Sequence, residues 1–129
     1  MYKFWGKVRK NKQRGKGLGF PTANINLTKK IPEGIYVSYA KLGKSIYPAL
    51  TFIGKAKTFD EKNFQAETYI LDFNEQVLSF GNKDIYGQWI SIRLLEKIRD
   101  NKKFNSAREL ITQMKKDEQK AREYFNQSS

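Results

Sequence analysis

The chain has 129 residues with no cysteine and no histidine; it is long enough to bury one core without disulfides, and the commonest side-chain acid/base group and metal ligand is missing. Proton transfer would therefore fall to a carboxylate, a lysine or a tyrosine. The net charge of +12 favours polyanionic partners, and no apolar run approaches the ~18 residues of a membrane span.

Nine basic residues and no acidic one precede Glu33, so most of the excess charge lies in the first quarter. The N-terminus Met1–Gly6 has neither the apolar centre nor the cleavage site of a signal peptide; a cytoplasmic protein with no membrane partner is expected. Phe4 to Arg9 reads as a first strand. Lys10 to Gly19 is too polar and glycine-rich to be anything but a loop.

That loop belongs to Arg14-Gly15-Lys16-Gly17-Leu18-Gly19-Phe20-Pro21-Thr22-Ala23-Asn24. Glycines at 15, 17 and 19 let the backbone approach a ligand closely, and Lys16 adds a cation. Pro21 stiffens the exit. Thr22 and Asn24 then offer two short oxygen-bearing side chains that point the same way if the segment is extended. Such a sequence suits a polyphosphate with its Mg²⁺; on composition alone a glycine-rich hairpin loop is the plainer reading. Walker A is excluded, because the Gly-Lys-Ser at 43–45 has Ser38 where the first glycine belongs. The dinucleotide fingerprint fails too, since neither Gly15-x-Gly17 nor Gly17-x-Gly19 has its third glycine.

Beyond the loop, Ile25 to Leu27 extends from a Thr-Ala-Asn turn, and Gly34 to Ala40 is a strand by its β-branched and aromatic content. Leu42 to Ser45 suits a hairpin turn into a strand from Ile46 to Gly54, and Lys55 to Asn63 is a polar connection. Glu67 to Phe73 alternates, with Glu67 in phase with Tyr69, Leu71 and Phe73. A carboxylate at the rim of an apolar face is partly desolvated, which raises its basicity; an edge glutamate of no special role fits the same pattern. A turn at Asp84–Gly87 leads into a last strand, Trp89 to Leu94. Ser106-x-x-Glu109 is a capping box, and the apolar spacing that follows predicts a helix over Ala107 to Phe125, with Asn126 to Ser129 frayed. Five or six short strands and one terminal helix imply a mainly β, antiparallel barrel capped by a helix, as one domain over 1–129.

Gly17-Leu-Gly-Phe-Pro-Thr-Ala-Asn24 resembles the signature of the riboflavin kinase (flavokinase) family. The resemblance continues in order through Pro32-x-Gly34-Ile35-Tyr36, Ile53-Gly54, Glu67-Thr68-Tyr69-Ile70-Leu71-Asp72 and Asp84-x-Tyr86-Gly87. It closes with Leu95-x-x-x-Arg99-x-x-Lys102-x-Phe104-x-Ser106 and Asp117, so it runs from about Gly6 to Phe125. One departure is Lys57, where the family usually has a proline.

The resemblance implies a six-stranded Greek-key barrel with a C-terminal helix, and ATP-dependent phosphorylation of the riboflavin 5′-hydroxyl to FMN. In that family reading Gly15, Lys16, Gly17, Gly19 and Pro21 hold the ATP phosphates, and Thr22 and Asn24 bind phosphate and Mg²⁺. Glu67 is the base; Arg99, Lys102 and Phe104 contact the flavin or its new phosphate. Only five residues precede the matched stretch, so the expectation is a stand-alone, monomeric kinase yielding FMN and ADP without FAD. Partners would be riboflavin/FMN and ATP/ADP, with no specific nucleic acid. Two other readings stay open: a barrel that keeps the flavin or nucleotide site without activity, and a basic barrel that binds single-stranded nucleic acid.

Overall fold

The computed structural model describes residues 2–9, 23–55, 64–71 and 87–127. Six strands form one antiparallel sheet: β1 (Lys3–Lys7), β2 (Ala23–Asn26), β3 (Gly34–Leu42), β4 (Ser45–Lys55), β5 (Phe64–Ile70) and β6 (Trp89–Arg99), followed by helix α1 (Ala107–Gln127). The strand order β1-β6-β3-β4-β5-β2 nearly closes on itself. At the seam Arg9 bridges to Asn24, its N–H donating to the Asn24 carbonyl at 2.7 Å. A Cβ on Gly6 would stand 2.5 Å from Ile25 Cγ2, so a residue with no side chain lets β1 approach β2.

The expected barrel and terminal helix are both present, with shifted boundaries. Gly43, at φ 59°, confines the first hairpin turn to Gly43-Lys44, and β3 and β4 pair as far as Leu42↔Ser45. Asn24 lies inside β2 rather than in a turn, because Ala23 to Asn26 pair with Thr68 to Gln65. Strand β5 begins earlier than Glu67, since Phe64 already pairs with Lys55. Strand β6 runs five residues past Leu94; register shifts against β3 break the alternation that would have betrayed its length. The Asp84–Tyr86 turn, Phe73 and Lys57 lie outside the described residues.

Alternating side chains fill the barrel. Phe4, Ile25, Ile53, Ala66, Ile70, Ile90 and Ile92 belong to one buried cluster. A chain of hydroxyls threads the same interior: Ser38 Oγ to Thr51 Oγ1 at 2.8 Å, and Thr51 Oγ1 to Thr68 Oγ1 at 3.0 Å. All three residues are buried and satisfy one another. A second apolar layer lies outside the barrel, where Ile35, Val37, Leu50 and Leu71 meet Ala121 of α1, with Tyr124 and Phe125 alongside. The Phe125 ring lies 5.2 Å from that of Tyr39.

Helix α1 starts where the capping box places it. Ser106 Oγ accepts from the Glu109 N–H at 3.2 Å, and Glu109 Oε2 accepts from the Asn105 N–H at 3.0 Å. Its angle on the barrel is fixed by a two-pronged ion pair. Arg99 Nε donates to Asp117 Oδ1 and Nη2 to Oδ2, both at 2.8 Å, and Gln113 Nε2 donates to Oδ1 at 3.0 Å. Only 13% and 5% of the two side chains are exposed, so water cannot replace a lost partner.

Asp117→Ala strands the Arg99 guanidinium and should destabilise the fold by about 3–5 kcal/mol. An Arg99→Met, Asp117→Leu double variant should recover most of that loss. Urea unfolding of both checks it; an Asp117→Ala loss under about 1 kcal/mol, the scale of a surface pair, would mean that the pair does not hold α1.

Candidate active site

Antiparallel pairing places residues from four strands in one transverse row. Asn24 on β2 stands opposite Glu67 on β5, Glu67 opposite Phe52 on β4, and Phe52 opposite Ile35 on β3. Partners in an antiparallel pair share a face, with Cβ atoms about 4.5–5.5 Å apart. The adjacent row, Ala23–Thr68–Thr51–Tyr36, contains two of the interior hydroxyls. Asn24, Glu67 and Phe52 therefore line the outer face of the barrel, where Ile35 joins the layer under α1.

Each member brings different chemistry. Glu67 is half-buried, a carboxylate able to accept a proton. Phe52 is 36% exposed and offers an aromatic surface beside it. Asn24 is fully buried, and neither its Oδ1 nor its Nδ2 has a hydrogen-bond partner among the described residues. A buried amide with neither end engaged by the described protein is an uncommon and costly arrangement. Its oxygen is a hard donor suited to Mg²⁺, and its amide hydrogens suit phosphate oxygens.

One end of the row is flanked by the connection from β6 to α1. Asn101 Nδ2 donates to the Ile53 carbonyl at 3.2 Å, while Asn101 Oδ1 is buried without a partner among the described residues. A Cβ on Gly54 would meet the Phe52 ring at 2.8 Å and Asn101 Nδ2 at 3.4 Å, so Gly54 makes room for both. Beyond Asn101, Lys102 is exposed with Nζ 3.5 Å from Gln113 Oε1, and Phe104 is half-buried. The Arg99 guanidinium, at the base of the same connection, is held by Asp117 and the Asp100 carbonyl.

Two of the expected site residues, Asn24 and Glu67, are thus direct cross-strand neighbours. Arg99, Lys102 and Phe104 lie on the connection that flanks the row. Gly15, Lys16, Gly17, Gly19, Pro21 and Thr22 lie outside the described residues. Phe52 and Asn101 were not singled out from the sequence: Phe52 reads as one more apolar strand residue until the register puts it beside Glu67. No group of three or more Asp or Glu side chains capable of holding a cation exists among the described residues, so a metal here would have to lean on the phosphates of a ligand.

A family model described as "Flavokinase: Riboflavin kinase" matches residues 1–125. The chain is 41% identical over 124 residues to the trifunctional protein RibF/MnmA of Mycoplasmoides gallisepticum, covering 94% of this chain and 18% of that protein. It is 36% identical over 120 residues to the bifunctional riboflavin kinase/FMN adenylyltransferase of Bacillus subtilis, covering 88% of this chain and 35% of that one. The chain thus spans about a third or less of these two relatives. A crystal structure of riboflavin kinase from Trypanosoma brucei superposes with a TM-score of 0.66 at 26% identity, covering 96% of this chain and 76% of that one.

The unengaged Asn24 amide costs the apo protein stability. Asn24→Leu keeps the branching and the number of side-chain heavy atoms and removes two buried polar atoms, so the apo protein should be unchanged or more stable, by up to about 1–3 kcal/mol. Thermal unfolding of the two proteins makes the comparison. A loss of more than about 1 kcal/mol, a typical net hydrogen bond, would show that the amide serves the fold and was not kept for a ligand.

Proposed function

Since this chain belongs to the riboflavin kinase family, we propose that it transfers the γ-phosphoryl group of ATP to the 5′-hydroxyl of riboflavin, giving FMN and ADP. The observation that carries this reading is the pairing of Asn24 with Glu67. It supports a phosphate-handling group and a base held within one residue's width of each other on a rigid sheet.

Glu67 accepts the proton of the 5′-hydroxyl as that oxygen attacks phosphorus. Phosphoryl transfer asks mainly for positioning and charge stabilisation, so one carboxylate suffices and histidine is dispensable. Asn24, with Thr22 two residues before it, would hold the terminal phosphates and a divalent cation, in our reading Mg²⁺. When bound, such an ion offsets the charge on the β- and γ-oxygens. The unengaged, buried Asn24 oxygen fits that task. Gly15, Lys16, Gly17, Gly19 and Pro21 would cradle the remaining phosphates.

On the flavin side, Phe52 and Phe104 would supply apolar surface, and the exposed Lys102 would meet the product phosphate. Arg99 acts through Asp117, setting where the Lys102–Phe104 segment lies. Every residue in this scheme comes from one chain, so a monomer suffices. No helix among the described residues is long and apolar enough to cross a membrane; we assign the reaction to the cytoplasm.

Two experiments test the reading. Glu67→Gln keeps the size and hydrogen-bonding reach of the side chain but removes the proton acceptor. Turnover should fall by about 10²–10⁴, roughly 3–5 kcal/mol of barrier, with the melting temperature and substrate binding little changed. A well-folded Glu67→Gln protein retaining more than about a tenth of wild-type turnover would remove Glu67 from the mechanism, since general-base assistance is worth more than that. Calorimetry tests the metal: Mg²⁺ should bind appreciably only when ADP or ATP is present. Equally tight binding by the bare protein would refute Asn24 and Thr22 as ligands that depend on the nucleotide.

A further inference from the structure

Both tryptophans of the chain stand on the outer face of β1 and β6, Trp5 66% and Trp89 59% exposed. Indoles so exposed are out of keeping with a sheet whose alternate positions, Phe4, Ile90 and Ile92, are buried. The register shows what surrounds them. Trp5 pairs with Ser91, Ser91 with Lys41 and Lys41 with Ile46, which is itself 61% exposed. Neighbouring strands lie about 4.8 Å apart, so this row crosses four strands over about 14 Å. On either side run the pairs Lys7↔Trp89 and Lys3↔Arg93. Lys7 Nζ stands 5.7 Å from the Trp89 ring centroid. No carboxylate occupies these positions.

We propose that this face is a binding site for single-stranded nucleic acid, separate from the phosphoryl-transfer site. The two tryptophans are diagonal neighbours in the ladder, positions whose backbones lie about 7–8 Å apart; each indole offers a face on which a base can stack, and Lys3, Lys7, Lys41 and Arg93 are spaced among them to meet phosphates. Stacking surface interleaved with cations is what sequence-tolerant recognition of a single strand requires. A protein partner fits less well, because the core of a protein interface is depleted of lysine, and here lysines stand between the aromatic groups. The Ile46 end of this face is remote from Glu67, since Ile46 lies six residues along β4 from Phe52, about 20 Å of extended strand. The Lys7 end lies nearer, two residues from Arg9 at the seam with Asn24, but the Lys7 ammonium is turned onto the Trp89 ring.

Because the only two tryptophans are on this face, intrinsic fluorescence reports its occupancy directly. The probe is oligothymidylate of about twelve nucleotides, within the range one small barrel covers. Titration should quench the emission, with a log–log salt slope of about −2 to −3 for three or four phosphates neutralised. Saturating Mg-ADP and riboflavin should leave the affinity unchanged. Trp5→Ala and Trp89→Ala should each weaken binding about tenfold, and Lys41→Ala should flatten the salt slope by about 0.7, all with wild-type kinase turnover. A duplex of the same length, its bases unavailable for stacking, should bind more weakly than the single strand. The proposal fails if poly-glutamate of matched charge or the duplex binds as tightly as oligothymidylate. It fails equally if either tryptophan variant keeps its affinity within about twofold, well short of the loss of a stacked base, or if Mg-ADP displaces the oligonucleotide.

Discussion

Slide β2 by one residue against β5 and Asn24 turns into the barrel while Ala23 faces outward beside Glu67. Side chains in a strand alternate, so a register error of one exchanges every inward and outward position. The account of this molecule rests on that register, Asn24↔Glu67 and Glu67↔Phe52, because it alone brings an amide, a carboxylate and an aromatic ring from three strands into a single row. Apolar residues on the inner side help to set it, since a slip would expose Ile25 and bury Asn26. The hydroxyl chain adds a polar condition: Ser38, Thr51 and Thr68 hydrogen-bond one another, and moving β5 against β4 would break that chain inside the barrel, at the cost of a buried, unpaired hydroxyl.

The rest of the architecture holds this row in place from outside. Gly6 lets β1 come close to Ile25 at the seam, and the Arg9–Asn24 backbone hydrogen bond anchors β2 on its second edge. Arg99 and Asp117 lock α1 to the end of β6. Through them the Lys102–Phe104 connection gains a fixed starting point beside the row. The bond from Asn101 to the Ile53 carbonyl ties that connection to β4, the strand that carries Phe52. Two elements distant in sequence thus meet beside Phe52, the partner of Glu67 on β4.

Much of this was legible in the residues themselves. The capping box at Ser106 and Glu109 located the start of α1 to the residue, because capping is a local interaction between near neighbours. Glu67 was placed on the correct side of its strand by simple alternation with Tyr69. What stayed hidden depends on contacts between strands. Phe52 became a site residue only through its pairing with Glu67, and Asn24 looked like part of a turn until its ladder with β5 was known. The bulges of β6 concealed how far that strand extends. Likewise Trp5 and Trp89, far apart in the sequence, gave no sign that they share an exposed face. Register is a long-range property, and one sequence states it weakly.

The most direct measurement is a crystal structure of the protein with riboflavin, Mg²⁺ and a non-hydrolysable ATP analogue. The account predicts the riboflavin 5′-oxygen within hydrogen-bonding reach of the Glu67 carboxylate, about 2.6–3.2 Å, and Asn24 Oδ1 in contact with the metal or a terminal phosphate. A complex in which the flavin or the triphosphate binds away from the Asn24–Glu67–Phe52 row, leaving the Asn24 amide unengaged, would contradict it.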